Sequence, residues 1–397
     1  MAGCIPNRQR SSRSSGNDAI LALRGVRQDR ARCGRSPVSS TRGGRRSPLD
    51  LDALLREATV TGASDILIAV EAPPVFRVDG VLVRRGEAVV SAAEAEAAFG
   101  HLTTAEQGQR LRSQGEVDFS YSLAGVGRFR VSAFRQRGSV SLAVRPIPSS
   151  VPNLLELGVP EAVAEFARRE SGLVLVVGRA GAGKSTTLAA MVEQINRERA
   201  AHIITLEDPV EYLHRHKQSL VNQREMGVDS PGFPQALRAA IRQNPDVIVI
   251  GELREAESAA LALVASSTGH LVIATVRQPD CATALDYLVG LFPAAEQTQF
   301  AWQLASALEG AVAQILLPRR DGKGRVAAFE VLVGTPAVRT LVRDAKRQQL
   351  PTLMRSGARH GMRALDQAWR DLVDHGVVSA VEPPPFPVPL AARKPEA

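Results

Sequence analysis

Leu173-Val-Leu-Val-Val177, running into Gly178-Arg-Ala-Gly-Ala-Gly183-Lys184-Ser185-Thr186, is the stretch that decides the fold. A short, wholly apolar run fits a strand buried on both faces of a parallel sheet. The segment after it matches GxxxxGK[ST] and leads into a helical pattern, the strand–loop–helix context in which that motif cradles phosphate. Glycines let successive N–H groups curl around a β-phosphate without Cβ clashes. The helix beginning near Lys184 turns its positive end toward the phosphates. Lys184 reaches the β/γ oxygens and the Ser185 hydroxyl ligates Mg2+. The motif thus predicts ATP and Mg2+, with Gly178, Arg179, Ala180, Gly181, Ala182, Gly183, Lys184, Ser185 and Thr186 holding them. A ligand-free Gly-rich turn is the bland alternative, and the flanking strand and helix disfavour it.

Working outward, the same alternation continues. His202–Leu206, Val247–Ile250 and Leu271–Thr275 are short apolar runs separated by helical stretches, the pattern of a parallel α/β sheet. Acids follow two of these runs. In Asn244-Pro-Asp246-Val-Ile-Val-Ile-Gly251-Glu252 the strand delivers Glu252 to its carboxyl end, where open α/β sheets bind ligands. Glu252 is predicted to orient the attacking water or to support Mg2+. In Thr205-Leu-Glu207-Asp208-Pro-Val-Glu211, Glu207 is the candidate for positioning or deprotonating water. Alone, Glu252 reads equally well as a solvated strand end, and beside the Gly-rich loop it reads as functional; Glu207 alone is the weaker signal, since acids often end strands. Thr268-Gly269-His270 precedes the last run, and His270 is a weaker candidate for nucleotide contact because lone histidines are more often structural.

Upstream lies a different texture. Residues 49–58 have helical periodicity, Val75–Val78 and Val81–Arg84 flank an Asp79-Gly80 hairpin signal, and 91–113 read as two helices. Val117–Leu123, Arg128–Phe134 and Val140–Val144 read as strands. Arg128 and Arg130 share one strand face, where planar guanidinium forks suit phosphate and a solvated face is the competing reading. Prolines at 146, 148 and 152 mark a linker. The expected organisation is an Arg/Ser-rich disordered tail over 1–48, an N-terminal α+β domain over 49–148, an ATPase domain with C-terminal helices over 149–380, and a Pro-rich tail over 381–397. After about residue 297 the chain reads as mostly helical, broken by a hairpin around Arg320–Gly324, with helices at 337–346 and 361–375.

Charge and composition narrow the function. The net charge is +8, but residues 1–48 carry eleven arginines, no lysine and two acids, a net of +9. The remainder is therefore near neutral, and with aromatics at 4% neither an electrostatic nor a stacking surface for nucleic acid is expected. The tail composition also admits a transit peptide or a misplaced start codon. No run is apolar enough to span a membrane. Three cysteines, Cys4, Cys33 and Cys281, fit no metal-ligand spacing.

Together these motifs resemble the secretion ATPases of type IV pili and type II secretion, and within them the PilT-type pilus retraction branch, from about residue 49 to about 380. The loop at Gly178–Ser185 is similar to the family's Walker A, Ile203–Tyr212 to its Asp box, Asn244–Arg254 to its Walker B, and Thr268-Gly-His270-Leu-Val to the start of its His box. Val221–Glu225, Phe233–Arg238 and Gly334–Arg343 are also similar to family segments. The resemblance implies a RecA-like P-loop domain behind a smaller PAS-like domain. It further implies a cytoplasmic homo-hexamer, peripheral to the inner membrane on a platform protein, that hydrolyses ATP to power pilus retraction and twitching motility or related secretion. It implies that arginines such as Arg128 and Arg130 reach toward nucleotide. The absence of a second cysteine near Cys281 excludes the paired Cys-x-x-Cys zinc site of the extension and type II branches. Three departures stand out: Arg277 where the family's second His-box histidine is usual, Leu67 in place of another histidine, and Arg179-Ala180 in place of Pro-Thr. Arg277 is always charged and cannot shuttle a proton; it can clamp phosphate or disturb hydrolysis. The alternative function is an ATP-binding partner subunit with little turnover, assembling with an active paralogous ATPase.

Overall fold

The computed structural model describes residues 49–380 except Asp79, Ser149 and Lys323. The readings of 1–48 and 381–397 as tails lie outside the described residues.

The first sheet has six antiparallel strands in the order β3-β2-β1-β6-β5-β4. They are β1 (Asp65–Ile68), β2 (Val75–Val78), β3 (Val81–Arg84), β4 (Glu116–Leu123), β5 (Gly127–Gln136) and β6 (Ser139–Ile147). Helices α1 (Leu51–Thr61), α2 (Ala92–Leu102) and α3 (Ala105–Gln114) cover it. Period-two patterning decides which face they cover. In β5, Phe129, Val131 and Ala133 are buried with Phe76, Phe99 and Leu142, while Arg128 and Arg130 take the opposite face. The helices start where their sequences cap them: Ser91 and Glu94 form a reciprocal capping box on α2, Thr104 and Gln107 another on α3. Pro146 is not linker but part of β6, opposite Phe129. Near that end β6 pairs only with β5, since β1 reaches no further than Val144, so a missing N–H is tolerated.

The second sheet has seven strands in the order β13-β12-β7-β11-β10-β8-β9. The parallel centre is β7 (Gly172–Val177), β8 (His202–Glu207), β10 (Val247–Ile250) and β11 (Leu271–Val276). Alternate residues feed two cores. Leu173, Leu175 and Val177 pack on one face with α6 (Phe233–Ala240), α7 (Ala256–Ser267), α8 (Cys281–Gly290) and α9 (Ala294–Ala307). Val174 and Val176 pack on the other with α4 (Glu161–Ala167) and α5 (Lys184–Glu198). α10 (Pro336–Arg343), α11 (Leu350–Ser356) and α12 (Leu365–Asp374) follow.

The structure differs from the sequence reading in three further places. Residues 308–333 are not helical: β12 (Leu308–Pro318) and β13 (Arg325–Val333) form a long hairpin, with β12 parallel to β7 and β13 antiparallel at the edge. The apolar run in β12 is buried on both faces, and periodicity alone cannot separate such a strand from a buried helix. The connection between β12 and β13 falls where the sequence reading puts the hairpin, around Arg320–Gly324. β9 (Leu220–Glu225), half polar and at the other edge, went unread, as did α11.

Glu330, in the edge strand β13, is buried and accepts the Cys281 N–H at 2.8 Å. Burial raises its carboxyl to about 7 from an ordinary 4.5, with Asp280 reinforcing the shift. The folded chain therefore binds this proton more tightly than the unfolded chain. Its contribution to stability is complete below pH 4.5, is lost as pH rises through about 7, and amounts to about 3 kcal/mol. Glu330→Gln keeps an acceptor for Cys281 but no charge. Its stability relative to wild type is expected to rise between pH 4.5 and about 7 and then level off, measured by thermal unfolding midpoints across and beyond that range; a constant difference would refute the assignment.

Candidate functional site

Register brings the motifs together. Val177 pairs with Val276, Ala274 with Ile250, and Ile250 with Leu206, all in parallel. The segments leaving these four strands therefore emerge at one edge of the sheet: Gly178–Ser185 after β7, Glu207 at the end of β8, Glu252 after β10 and Arg277 after β11. They line one cleft, together with Asp208, Glu211, Tyr212 and Arg254.

The loop has the backbone its glycines permit. Gly181 and Gly183 sit at φ +74° and +89°, conformations that side chains disfavour. Gly178 is needed for space rather than conformation, since a Cβ there would lie 2.9 Å from the Gln314 carbonyl oxygen and from Ala182 Cβ. Gln314, in β12, donates from Nε2 to the Ala182 carbonyl at 2.7 Å and so ties the loop to the sheet. Sequence reasoning missed this residue: a lone glutamine in an apolar run gives no pattern to find. Gln314→Leu keeps the bulk but strands the buried Ala182 carbonyl. Nucleotide affinity is expected to fall about tenfold, the equivalent of one lost hydrogen bond, with calorimetric titration as the measure.

α5 begins at Lys184 directly after Gly183, so its free N–H groups and positive end face the cleft. Lys184 Nζ donates to the Arg179 carbonyl at 3.0 Å. Burial lowers its ammonium from the ordinary lysine range and Arg277 lowers it further, against Glu252 and Glu211. Thr186 Oγ1 and the Tyr212 hydroxyl lie 2.9 Å apart, joining the helix start to the loop after β8.

The two acids differ in setting. Glu207 Oε1 accepts from Thr205 Oγ1 at 2.6 Å and from Gln223 Nε2 at 3.0 Å. Burial nevertheless raises its carboxyl above the usual glutamate range, and Glu211 adds to the rise. A fixed carboxyl with raised affinity for a proton suits a general base. Glu252 Oε1 instead lies 3.0 Å from Arg277 Nε, and Arg254 pairs with Asp208 at 3.1 Å. Among the described residues no group of three or more His, Cys, Asp or Glu side chains gathers as a metal cage. Mg2+ takes one or two protein ligands alongside phosphate oxygens and water, and Ser185 and Glu252 both line the cleft.

Three sequence candidates are not at this cleft within the chain. His270 lies at the opposite edge: its carbonyl accepts the Gly172 N–H at the start of β7, and its Nδ1 lies 2.9 Å from the Ala265 carbonyl oxygen. The length of β11 (Leu271–Val276), roughly 20 Å at strand rise, separates it from the loop. Arg128 is engaged elsewhere, its Nη2 donating to Glu225 at 2.9 Å. Glu225 also takes the Ser120 hydroxyl at 2.7 Å and the Val210 N–H at 3.1 Å, so this carboxylate fastens the N-terminal sheet to the second one. Arg130 is exposed and lines a neighbouring cleft with Asp208 and Glu225.

Residues 47–382 match the family model described as Type II/IV secretion system protein. The chain belongs to that family. Among its relatives, it is 40% identical over 331 residues to the Type IV pilus retractation ATPase PilT of Pseudomonas aeruginosa, spanning 83% of this chain and 96% of the relative. It is 38% identical over 331 residues to the Type IV pilus ATPase PilU of the same species, spanning 83% and 87%. A crystal structure of the pilus retraction motor PilT with bound ADP superposes with a TM-score of 0.78 at 40% identity, covering 84% of this chain and 95% of that one. The secretion-family fold, a RecA-like core behind an N-terminal α+β unit, is therefore the fold of this chain. No helix among the described residues is long and apolar enough to cross a membrane.

Proposed function

We propose that this member of the secretion family is an ATP-hydrolysing motor that powers type IV pilus retraction. The observation that carries the reading is the convergence of the Gly178–Ser185 loop, Glu207 and Glu252 on one sheet edge, in a chain similar to a retraction ATPase over most of its length. Lys184 and the loop N–H groups bind the phosphates of ATP, and Ser185 with Glu252 holds Mg2+. Mg2+, when bound, neutralises charge on the β- and γ-phosphates. Glu207 positions and deprotonates water.

The working assembly in this reading is a cytoplasmic homo-hexamer docked on an inner-membrane platform protein, with no nucleic acid involved. Residues 49–148 and 149–380 act as two domains that rotate against each other as the site closes. The exposed Arg130 is offered to a neighbouring subunit's phosphate, whereas Arg128 stays with Glu225. Deleting the gene from a piliated host tests the reading: cells are expected to keep surface pili but lose twitching, and wild-type but not Lys184→Ala protein restores it. Loss of the pili themselves would point to extension instead.

A second reading, a nucleotide-binding partner subunit with little turnover, is supported by the Arg277–Glu252 pair, which ties down an acid the chemistry needs. Under it, Arg277→His raises turnover at least about tenfold, an effect of the size of one acid–base group; unchanged turnover removes it.

A further inference from the structure

We propose that Arg277 is an ATP-sensing residue, its guanidinium exchanging the Glu252 carboxylate for the γ-phosphate and so releasing Glu252 for hydrolysis. The inference rests on the ATPase reading and adds a device within the same site.

Arg277 is placed for this by the sheet. It follows Val276, whose carbonyl accepts the Gly178 N–H at 3.2 Å, so Arg277 and the phosphate loop leave the sheet side by side. The ion pair is asymmetric: the Glu252 side chain is 18% exposed and the Arg277 side chain 63%. The carboxylate is seated and the guanidinium lies on the solvent side. With its guanidinium this exposed, the pair is screened by water on that side and weakly held. The contact with Glu252 runs through Nε, and a guanidinium carries further N–H donors on its two terminal nitrogens, a fork that fits phosphate oxygens.

The neighbouring charges favour the exchange. Arg277 is close enough to Lys184 for its charge to disfavour the lysine ammonium, and two cations in one cleft are best satisfied by a polyanion between them. A γ-phosphate offers more charge than one carboxylate. ADP offers no γ-phosphate, so in the ADP state Arg277 stays with Glu252. Arg254, which also lines the cleft, pairs with Asp208 rather than with an acid assigned to the chemistry. Arg277 is thus the residue whose change of partner links the presence of ATP to the availability of Glu252. This is a positioning role on Glu252 combined with direct contact to the nucleotide.

The test is a fluorescence titration of the full-length protein with a non-hydrolysable ATP analogue and, separately, with ADP, both with Mg2+. Arg277→Ala is expected to weaken the analogue about 10- to 100-fold, as loss of charge-assisted hydrogen bonds does, and ADP by less than about threefold. Retained ADP affinity shows that the variant is folded. Arg277→Lys keeps charge and length but lacks the fork, and is expected to lose analogue affinity about three- to tenfold with ADP unchanged; it carries the test if the alanine variant folds poorly. Equal losses for both nucleotides, or no loss for either, overturn the sensing role and leave the ATPase reading standing. Failure of wild type to bind either nucleotide sinks the ATPase reading itself.

Discussion

Glu252→Gln is expected to reduce steady-state ATP turnover by about 10^2- to 10^4-fold, the range for losing a group that acts on the reacting water or its metal, while ATP binding is retained or tightened. The direction of the binding effect follows from geometry. Glu252 Oε1 lies 3.0 Å from Arg277 Nε, and a neutral amide is a poorer partner for a guanidinium than a carboxylate is. Arg277 is then freer to meet phosphate. The substitution keeps the shape of a half-buried side chain after β10, so folding is expected to survive. Parallel loss of binding and turnover would mean that Glu252 shapes the site rather than serving the reaction. Nucleotide titration alongside a phosphate-release assay separates these outcomes.

Lys184→Ala is expected to impair both functions: turnover by about 10^2- to 10^3-fold, as when a preorganised donor facing the transition state is lost, and nucleotide affinity by about 10- to 100-fold. Lys184 begins α5, so its ammonium stands where the helix N–H groups and the Gly178–Gly183 loop already face the cleft. Its ammonium is held below the ordinary lysine range by burial first and by Arg277 second. A bound polyphosphate compensates both causes, which is why the lysine is tolerated there and why its removal should be felt in binding as well as rate. The hydrogen bond to the Arg179 carbonyl is a minor loss, since Arg179 is exposed and its carbonyl finds water. A variant that binds ATP as tightly as wild type would place the phosphates elsewhere.

Much of this was legible in the residues. Apolar runs of four to six residues buried on both faces, such as Val247–Ile250 and Leu271–Val276, have one natural home in a parallel sheet. Once the sheet is parallel, everything at a strand's carboxyl end shares an edge, so Gly178–Ser185, Glu207 and Glu252 were bound to meet. Legibility ended where local pattern is degenerate or contacts are remote. The Leu308–Pro318 run could not be told from a buried helix, and β9 carries too few apolar residues to announce itself. Gln314 matters through a hydrogen bond to Ala182, 132 positions away in sequence. The shared face of Arg128 and Arg130 was readable from period two, but the Glu225 that captures Arg128 lies 97 residues on, in the second sheet. His270 precedes β11 and so stands at the strand's amino end, away from the carboxyl ends where the other motifs meet; sequence order already carried that placement. Arg277 was visible as a departure from the family pattern; its ion pair with Glu252 was not.

The most direct measurement is the steady-state ATPase activity of the full-length protein with Mg2+, beside Lys184→Ala and Glu252→Gln. The account predicts turnover in wild type that is lost in both variants, with ATP binding lost or severely weakened only in Lys184→Ala. Tight ATP binding by wild type without turnover would contradict the motor and leave a nucleotide-binding partner subunit in its place.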